Sequence, residues 1–285
     1  MTDFQITDAD LAKGKFEGKV AVVTGGSSGI GLATLTLLAS LGATVVTADI
    51  NPPPTALPPR CTYTPTDVTQ WSSLTALFKS AVAEHGRIDY VFANAGIGPR
   101  ANYVALETDA QGELVRPASA TLDVNLGSVM ETASLAVHYM KTQESGGSLV
   151  LMGSSTSLHG VRAIDYATAK SGVLGFGRGL AVVLEAAKLP VRLNMLAPSW
   201  TVTQVLPDLG NLLKAVDYEA QSAEAVARAA VYLLGDGERH GDVVFVGHGK
   251  YREIEKAIMR PAYLAVKGDG PSDDEVLAKI LALEG

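Results

Sequence analysis

The run Lys19-Val20-Ala21-Val22-Val23-Thr24 leads directly into Gly25-Gly26-Ser27-Ser28-Gly29-Ile30-Gly31 and then into an apolar stretch from Leu32 to Leu41. A short β-branched run reads as a buried strand, and the longer apolar run as a helix. A strand feeding a helix through a tight glycine turn is the opening of a βαβ unit, and hence of a parallel sheet. A second strand is expected from Ala43 to Asp49. Glycines let the backbone approach a pyrophosphate, while the helix start offers free N–H groups and the positive end of its dipole. Asp49 stands where an acid can accept hydrogen bonds from a ribose diol. The same carboxylate would repel a 2′-phosphate, and no Arg or Lys lies in the turn or directly after Asp49. The expected cofactor is therefore NAD rather than NADP. The competing reading is a structural glycine turn with a solvated aspartate. It would leave the ordered sequence of strand, turn, helix, strand and acid as coincidence.

A second cluster lies further along. Tyr166 and Lys170 are four residues apart, so on a helix they sit one turn apart on the same face. A free tyrosine has a pKa of about 10 and is a poor base at neutral pH. A lysine cation one turn away stabilises the phenolate and pulls that value down. A nearby serine hydroxyl, Ser154 or Ser155, can hold a substrate oxygen against the phenol. Such a set moves a proton on or off an alcohol. Taken alone, a Tyr-x-x-x-Lys pair is weak evidence, because chance pairs on solvated helix faces are common.

With both clusters in view, the chain resembles the short-chain dehydrogenase/reductase family over roughly residues 15–250. The resemblance is carried by Thr24-Gly25-x-x-x-Gly29-x-Gly31, Asp67-Val68, Asn94-Ala95-Gly96, Asn125, Ser154, Tyr166 with Lys170, and Pro198 with Thr203. It implies a Rossmann-type α/β fold and an NAD-dependent alcohol dehydrogenase or ketoreductase. It also implies a cofactor site drawn from Gly25, Ser28, Gly29, Ile30, Gly31, Asp49, Asp67, Val68, Asn94, Ala95, Gly96, Tyr166, Lys170, Pro198 and Thr203. Asp67 would contact the adenine amino group, Val68 the adenine edge, and Thr203 the nicotinamide carboxamide. Asn125 would join Ser154, Tyr166 and Lys170 by holding a water that links Lys170 to solvent. Within the family, the stretch from His138-Tyr139-Met140 through Gly146-Gly147-Ser148 to Val191-Arg192-Leu193-Asn194 is similar to 15-hydroxyprostaglandin dehydrogenase-like members. No substrate follows from that likeness.

Three departures stand out. The interval from Ser154 to Tyr166 is one residue shorter than usual, which leaves Ser155 as a rival to Ser154. Pro198-Ser199 replaces the usual Pro-Gly, and Gly247-His248-Gly249 the usual Asp-Gly-Gly. None removes a reacting group.

Composition sets the remaining bounds. The chain has 285 residues, 47% of them hydrophobic, enough for one sizeable core. Strands and helices alternate without a linker, so a single doubly wound domain of about seven strands is expected over 18–250, with helices on both faces. Residues 1–17 read as an extension and 251–285 as a helical tail, with Tyr251 to Met259 helical and Ser272 to Glu275 a capping box. A net charge of −7 argues against nucleic acid or an anionic membrane as partner. No apolar run is long enough to span a membrane, and Met1 to Phe16 lacks a signal-peptide core. The single cysteine, Cys61, fits a reducing, cytoplasmic setting. The five histidines are scattered, with no metal spacing, so no metal is expected.

Asn51 to Pro59 carries five prolines and replaces the helix expected after the second strand. Gly98 to Pro117 is an irregular insert, 118–142 a long helix, and 163–187 a helix with Gly172, Gly175, Gly177 and Gly179. Small residues allow close approach, either to the chain's own sheet or to a second subunit. The second reading gives a homodimer or homotetramer. The pocket would be lined by segments from 97–117, 155–165 and 200–221. Trp200, Val205, Leu206, Leu209 and Tyr218 suggest a lipophilic small-molecule substrate. Leu209, Leu212, Leu213 and Val216 fit ordinary helix core equally well. His159 lies in the loop beside the site, and Asp165 is read as solvated, off the catalytic face. Two rival functions remain open at this stage: a non-redox cyclase or isomerase on the same scaffold, and a catalytically silent dinucleotide sensor.

Overall fold

A computed structural model describes residues 3–203 and 209–284. In chain order the elements are α1 (Asp8–Ala12), β1 (Val20–Thr24), α2 (Gly29–Ser40), β2 (Thr44–Asp49), β3 (Cys61–Pro65), α3 (Trp71–His85), β4 (Tyr90–Ala93), α4 (Ala120–Leu122), α5 (Ser128–Met140), β5 (Gly147–Met152), α6 (Ile164–Ala186), β6 (Val191–Pro198), α7 (Leu209–Lys214), α8 (Ala223–Gly235), β7 (Val243–Gly247), β8 (Lys250–Glu253), α9 (Arg260–Lys267) and α10 (Asp273–Glu284). The strands form one eight-stranded sheet in the order β3-β2-β1-β4-β5-β6-β7-β8. All pairings are parallel except β7 with β8. The order reverses between β1 and β4, and that switch point opens a crevice at the carboxyl ends of the strands.

Each strand of the sheet's centre is buried on both faces, which is why β1 reads Val-Ala-Val-Val-Thr without alternation. One face packs against α3, α5 and α6 through Leu74, Phe78, Ala133, Met140, Val173 and Leu174. The other packs against α2 and α8 through Leu35, Leu38, Val226, Ala230 and Leu234.

The ends of the chain differ from expectation. The segment from Tyr251 is not helical at its start. Lys250–Glu253 forms the antiparallel eighth strand, so the sheet exceeds the seven expected, and helical structure begins only at Glu255. The cause is the turn: His248 (φ 51°) and Gly249 (φ 69°) both take the left-handed conformation that a tight two-residue hairpin needs. At the other end Ile6, Leu11 and Phe16 are buried, and Phe4 N–H donates to Tyr251 O at 2.9 Å. Phe4 thus pairs with the outer edge of β8.

The long helix is not uniform either. Between α4 and α5 the chain makes a π-turn over Asp123–Gly127, centred on Asn125. Such bulges widen one turn and turn a side chain inward. The glycines of α6 divide. A Cβ on Gly172 would meet Leu126 at 2.8 Å and one on Gly177 would meet Met195 at 2.3 Å, whereas Gly175 and Gly179 have nothing within 4 Å. Cys61 opens β3, half-buried, and burial pushes its thiol up to about 11. Among the described residues no helix is long and apolar enough to cross a membrane.

Candidate active site

The glycine turn is built by steric necessity. Gly25 takes φ 69°, and a Cβ there would lie 2.8 Å from Ala95 Cα. A Cβ on Gly31 would lie 2.1 Å from Gly25 O. Main chain stands against both positions, so neither can yield to a side chain. Gly29 is also left-handed, at φ 51°, and a Cβ on it would approach Thr203 Cβ to 3.1 Å. The chain after β6 therefore passes directly over the turn and brings Thr203 to it. Ser28 is the N-cap of α2 but makes no side-chain cap, and the first turn of that helix holds no acid. Its leading N–H groups remain for an anion. Ile30, beside them, packs partly on the core.

Asp49 ends β2 beside this turn. Its carboxylate accepts from Ser27 N and Asn51 N, both at 3.1 Å, and so is held in orientation by main chain. Asn94 binds the turn from below: its amide donates to Thr24 O at 3.0 Å and Gly25 O at 3.1 Å. Asn94 N and Ala95 N both donate to the Thr24 hydroxyl, at 3.0 and 3.2 Å. Asp67 caps its own turn by accepting from Thr69 N and Thr69 Oγ1, and Val68 is buried. Pro198 closes β6. Cradle glycines, an uncapped helix start and an acid at the end of β2 fit a nicotinamide dinucleotide.

On the far side of the switch point, Ser154 follows β5 and is buried, its hydroxyl accepting from Thr156 N at 3.2 Å. That hydroxyl also acts on the Tyr166 phenol, lowering its pKa, which favours Ser154 over Ser155. Lys170 is fully buried on the next turn of α6. Its ammonium donates to Met152 O at 2.8 Å and lies 5.7 Å from the centre of the Tyr166 ring. Asn125 is completely buried and clamps Ile97 twice, accepting from its N–H and donating to its C=O, each at 2.8 Å. Gly96 fits between them: a Cβ there would stand 3.3 Å from Asn125 Oδ1 and 3.7 Å from Lys170 Nζ.

Burial governs the protonation of this pair. It pushes the Tyr166 phenol above its usual value, against the Ser154 hydroxyl, which lowers it. Burial also pulls Lys170 down to about 8. The chain by itself thus has not lowered the tyrosine, contrary to what the spacing to Lys170 suggests; desolvation outweighs the lowering by Ser154.

Two residues depart from the sequence reading or escape it. Asp165 is not solvated: it is 1% exposed and accepts from Arg100 N at 2.8 Å, Ala101 N at 3.0 Å and Tyr166 N at 2.8 Å. Those hydrogen bonds hold its carboxyl below the ordinary range despite its burial. Gln221, unremarkable in sequence, fastens the loop after β6. Its amide donates to Val246 O at 2.9 Å and Thr201 Oγ1 at 3.2 Å, and its oxygen accepts from Gly249 N at 3.3 Å. In that loop Leu213 is buried while Leu212 and Val216 are exposed. Trp200 is half-exposed and Tyr218 packs on His248, with ring centres 5.7 Å apart. Val205, Leu206 and the Leu209 side chain lie outside the described residues. His159 is exposed and turned to Gly160 O.

The family profile described as short chain dehydrogenase matches residues 19–211. The chain belongs to the short-chain dehydrogenase/reductase family. It is 47% identical over 292 aligned residues to the short-chain dehydrogenase/reductase ascJ of Acremonium egyptiacum, covering 100% of this chain and 97% of that one. It is 32% identical to (+)-borneol dehydrogenase 1 of Salvia officinalis, over 78% of this chain and 88% of the relative. Among solved structures, levodione reductase superposes with a TM-score of 0.68 at 25% identity, covering 82% of this chain and 98% of that one. Members of this family are oxidoreductases that bind NAD or NADP and act on small molecules.

Proposed function

We propose that the protein interconverts a secondary alcohol and a ketone on a mainly apolar small molecule, with NAD(H) as cofactor. The observation that carries this reading is the cluster of Tyr166 with the buried Ser154 and Lys170, the Lys170 ammonium 5.7 Å from the centre of the Tyr166 ring, facing the glycine turn across the switch point. Ser154 orients the substrate oxygen. Tyr166, as phenolate, takes the alcohol proton and returns it when a ketone is reduced. When bound, the oxidised cofactor supplies the hydride acceptor and a ring cation beside the phenol. Lys170 has three N–H donors; one is on Met152 O, leaving two for the nicotinamide ribose and a proton path toward Asn125. The turn at Gly25, Ser28, Gly29, Ile30 and Gly31 holds the pyrophosphate, and Asp49 the adenosine ribose. Asp67 and Val68 hold the adenine. Asn94, Ala95 and Gly96 floor the site, and Pro198 and Thr203 hold the carboxamide. Asp49 favours NAD over NADP because its carboxylate is fixed by main-chain donors and, among the described residues, no cation pairs with it.

Exposed apolar side chains on the segments that follow β4 and β6 support a lipophilic substrate: Tyr103, Leu106 and Trp200. The outward Gly175 and Gly179, with Val182 and Val183 exposed on the same helix, support a homodimer or homotetramer through α5 and α6. A lone, half-buried thiol supports a cytoplasmic setting. The test is absorbance at the reduced-nicotinamide band, with NAD and NADP run separately against lipophilic secondary alcohols. Reduction of NAD in preference to NADP is expected. Tight NAD binding without reduction across the series would turn the reading toward a non-redox enzyme or a sensor.

A further inference from the structure

Beside the reacting tyrosine sits a buried carboxylate that the proposed chemistry does not use. Asp165 lies in the first turn of α6, adjacent to Tyr166. Its Oδ1 accepts from Tyr166 N, and its Oδ2 accepts from both Arg100 N and Ala101 N. The Thr121 hydroxyl, which donates to Gly98 O at 3.3 Å, also acts on this carboxylate, lowering its pKa. Three segments therefore meet at one side chain: the root of the 98–117 insert, α4, and the first turn of α6, which bears Tyr166.

The insert held at that root has order of its own. Val115 N donates to Glu107 O and Asp109 N to Glu113 O, both at 2.9 Å, with Thr108 bridged to Leu114. Asp109 Oδ1 fastens the tip by accepting from Gln111 N and Glu113 N. The result is a short finger with Tyr103, Val104, Leu106 and Leu114 exposed. It leaves the body just after Ile97, which Asn125 grips, at the carboxyl end of β4. Its root is therefore part of the wall beside Tyr166 and Ser154.

We infer that Asp165 is a positioning residue that sets substrate selectivity, fixing the root of the finger against the catalytic turn so that the finger's apolar side chains meet the substrate at a set distance from Tyr166. The inference rests on the oxidoreductase reading. A carboxylate suits the task because it offers acceptors only, matching an array of main-chain donors. An asparagine would turn an NH2 group toward at least one of those N–H groups. The effect falls on the substrate side, since neither Asp49 nor the glycine turn touches this network.

The test compares wild type with Asp165→Asn on one small and one bulky lipophilic secondary alcohol with NAD. For the bulky alcohol kcat/KM should fall about tenfold or more, chiefly through KM, while the small alcohol changes less than threefold. NADH affinity, read by fluorescence, should stay within twofold. Limited proteolysis should cut the 98–117 finger several-fold faster in the variant. Equal loss on both alcohols, or an unchanged ratio, overturns the inference. Should Asp165→Asn not fold, Ala101→Pro removes one donor and leaves the carboxylate. The same shift in selectivity is then expected, and an unchanged ratio overturns the inference. Wild type inactive on every alcohol would instead defeat the oxidoreductase reading itself.

Discussion

The two ends of the central strands treat buried charge in opposite ways. At the amino ends, Asp89 is almost fully buried and fully matched. Lys19 reaches it at 2.9 Å, Arg87 Nε at 2.7 Å and Val20 N at 3.0 Å, with a second Arg87 contact besides. A cleft of about 540 Å³ opens there, lined by Lys19, Asp89, Ser145, Glu185, Arg192 and His240. Besides Asp89, Arg192 there also has partners, donating to Leu233 O, Leu234 O and Arg239 O. At the carboxyl ends, Lys170 is buried with a neutral carbonyl, Met152 O, and the Tyr166 ring beside its charge, and among the described residues no carboxylate pairs with it. The matched end holds the fold together, and the unmatched end keeps its polar groups available. Stability and chemistry are thus separated along the length of one sheet.

Substitutions at the two ends should therefore fail in different ways. The largest effect is expected from Gly31→Ala, whose Cβ would press on main-chain oxygen at 2.1 Å. It should destabilise by about 3 kcal/mol and weaken NAD binding severely, as calorimetry and thermal melts would read. Next, Asp89→Asn should destabilise by about 2 kcal/mol, discounted because Lys19 and Arg87 reach solvent, while leaving KM for NAD and alcohol unchanged. The folded pKa of Asp89 is lowered, so its contribution is complete above the unfolded value near 3.8 and is lost as pH falls below it. Acid melts of wild type and variant should therefore converge at low pH. Asp49→Asn should erode the preference for NAD over NADP by about tenfold, or about 1.4 kcal/mol, with little change in melting temperature. Last, and smallest as a free energy, Lys170→Met should raise the stability of the cofactor-free protein by about 1 kcal/mol at pH 7 although it abolishes turnover. The folded pKa of Lys170 is lowered from 10.5 to about 8, so the unfolded chain binds the extra proton between those values. The variant's advantage should therefore shrink as pH rises from 8 toward 10.5. A loss of stability instead would show that the buried ammonium is as well matched as Asp89.

Much of the carboxyl end was readable because its signals are local. The glycines between β1 and α2, Asp49, and the pair Tyr166 and Lys170 each act over a few residues of known spacing. What escaped depends on distant main chain. Asp165 looked solvated because helical spacing describes only its own helix, whereas its partners, Arg100 and Ala101, come from the segment after the neighbouring strand β4. Gln221 joins Thr201, Val246 and Gly249, which no periodicity connects. The π-turn at Asn125 was hidden inside an unbroken helical pattern. The eighth strand was missed because Tyr251 to Met259 has helix-forming composition, and only the two left-handed residues at 248 and 249 return the chain along β7. The direction of the tyrosine's shift also lay beyond the sequence: spacing to Lys170 reveals the cation, but the cost of burial appears only once the fold encloses both groups.

The most direct test of the central claim pairs Tyr166→Phe with wild type in two measurements: NADH binding by fluorescence, and NAD reduction with an alcohol that the wild type turns over. The account predicts that turnover falls by about a thousandfold or more, the upper part of the range for a general acid–base group, while NADH affinity stays within twofold. Turnover that survived in the variant would contradict it, because the proton would then be moving through some group other than Tyr166.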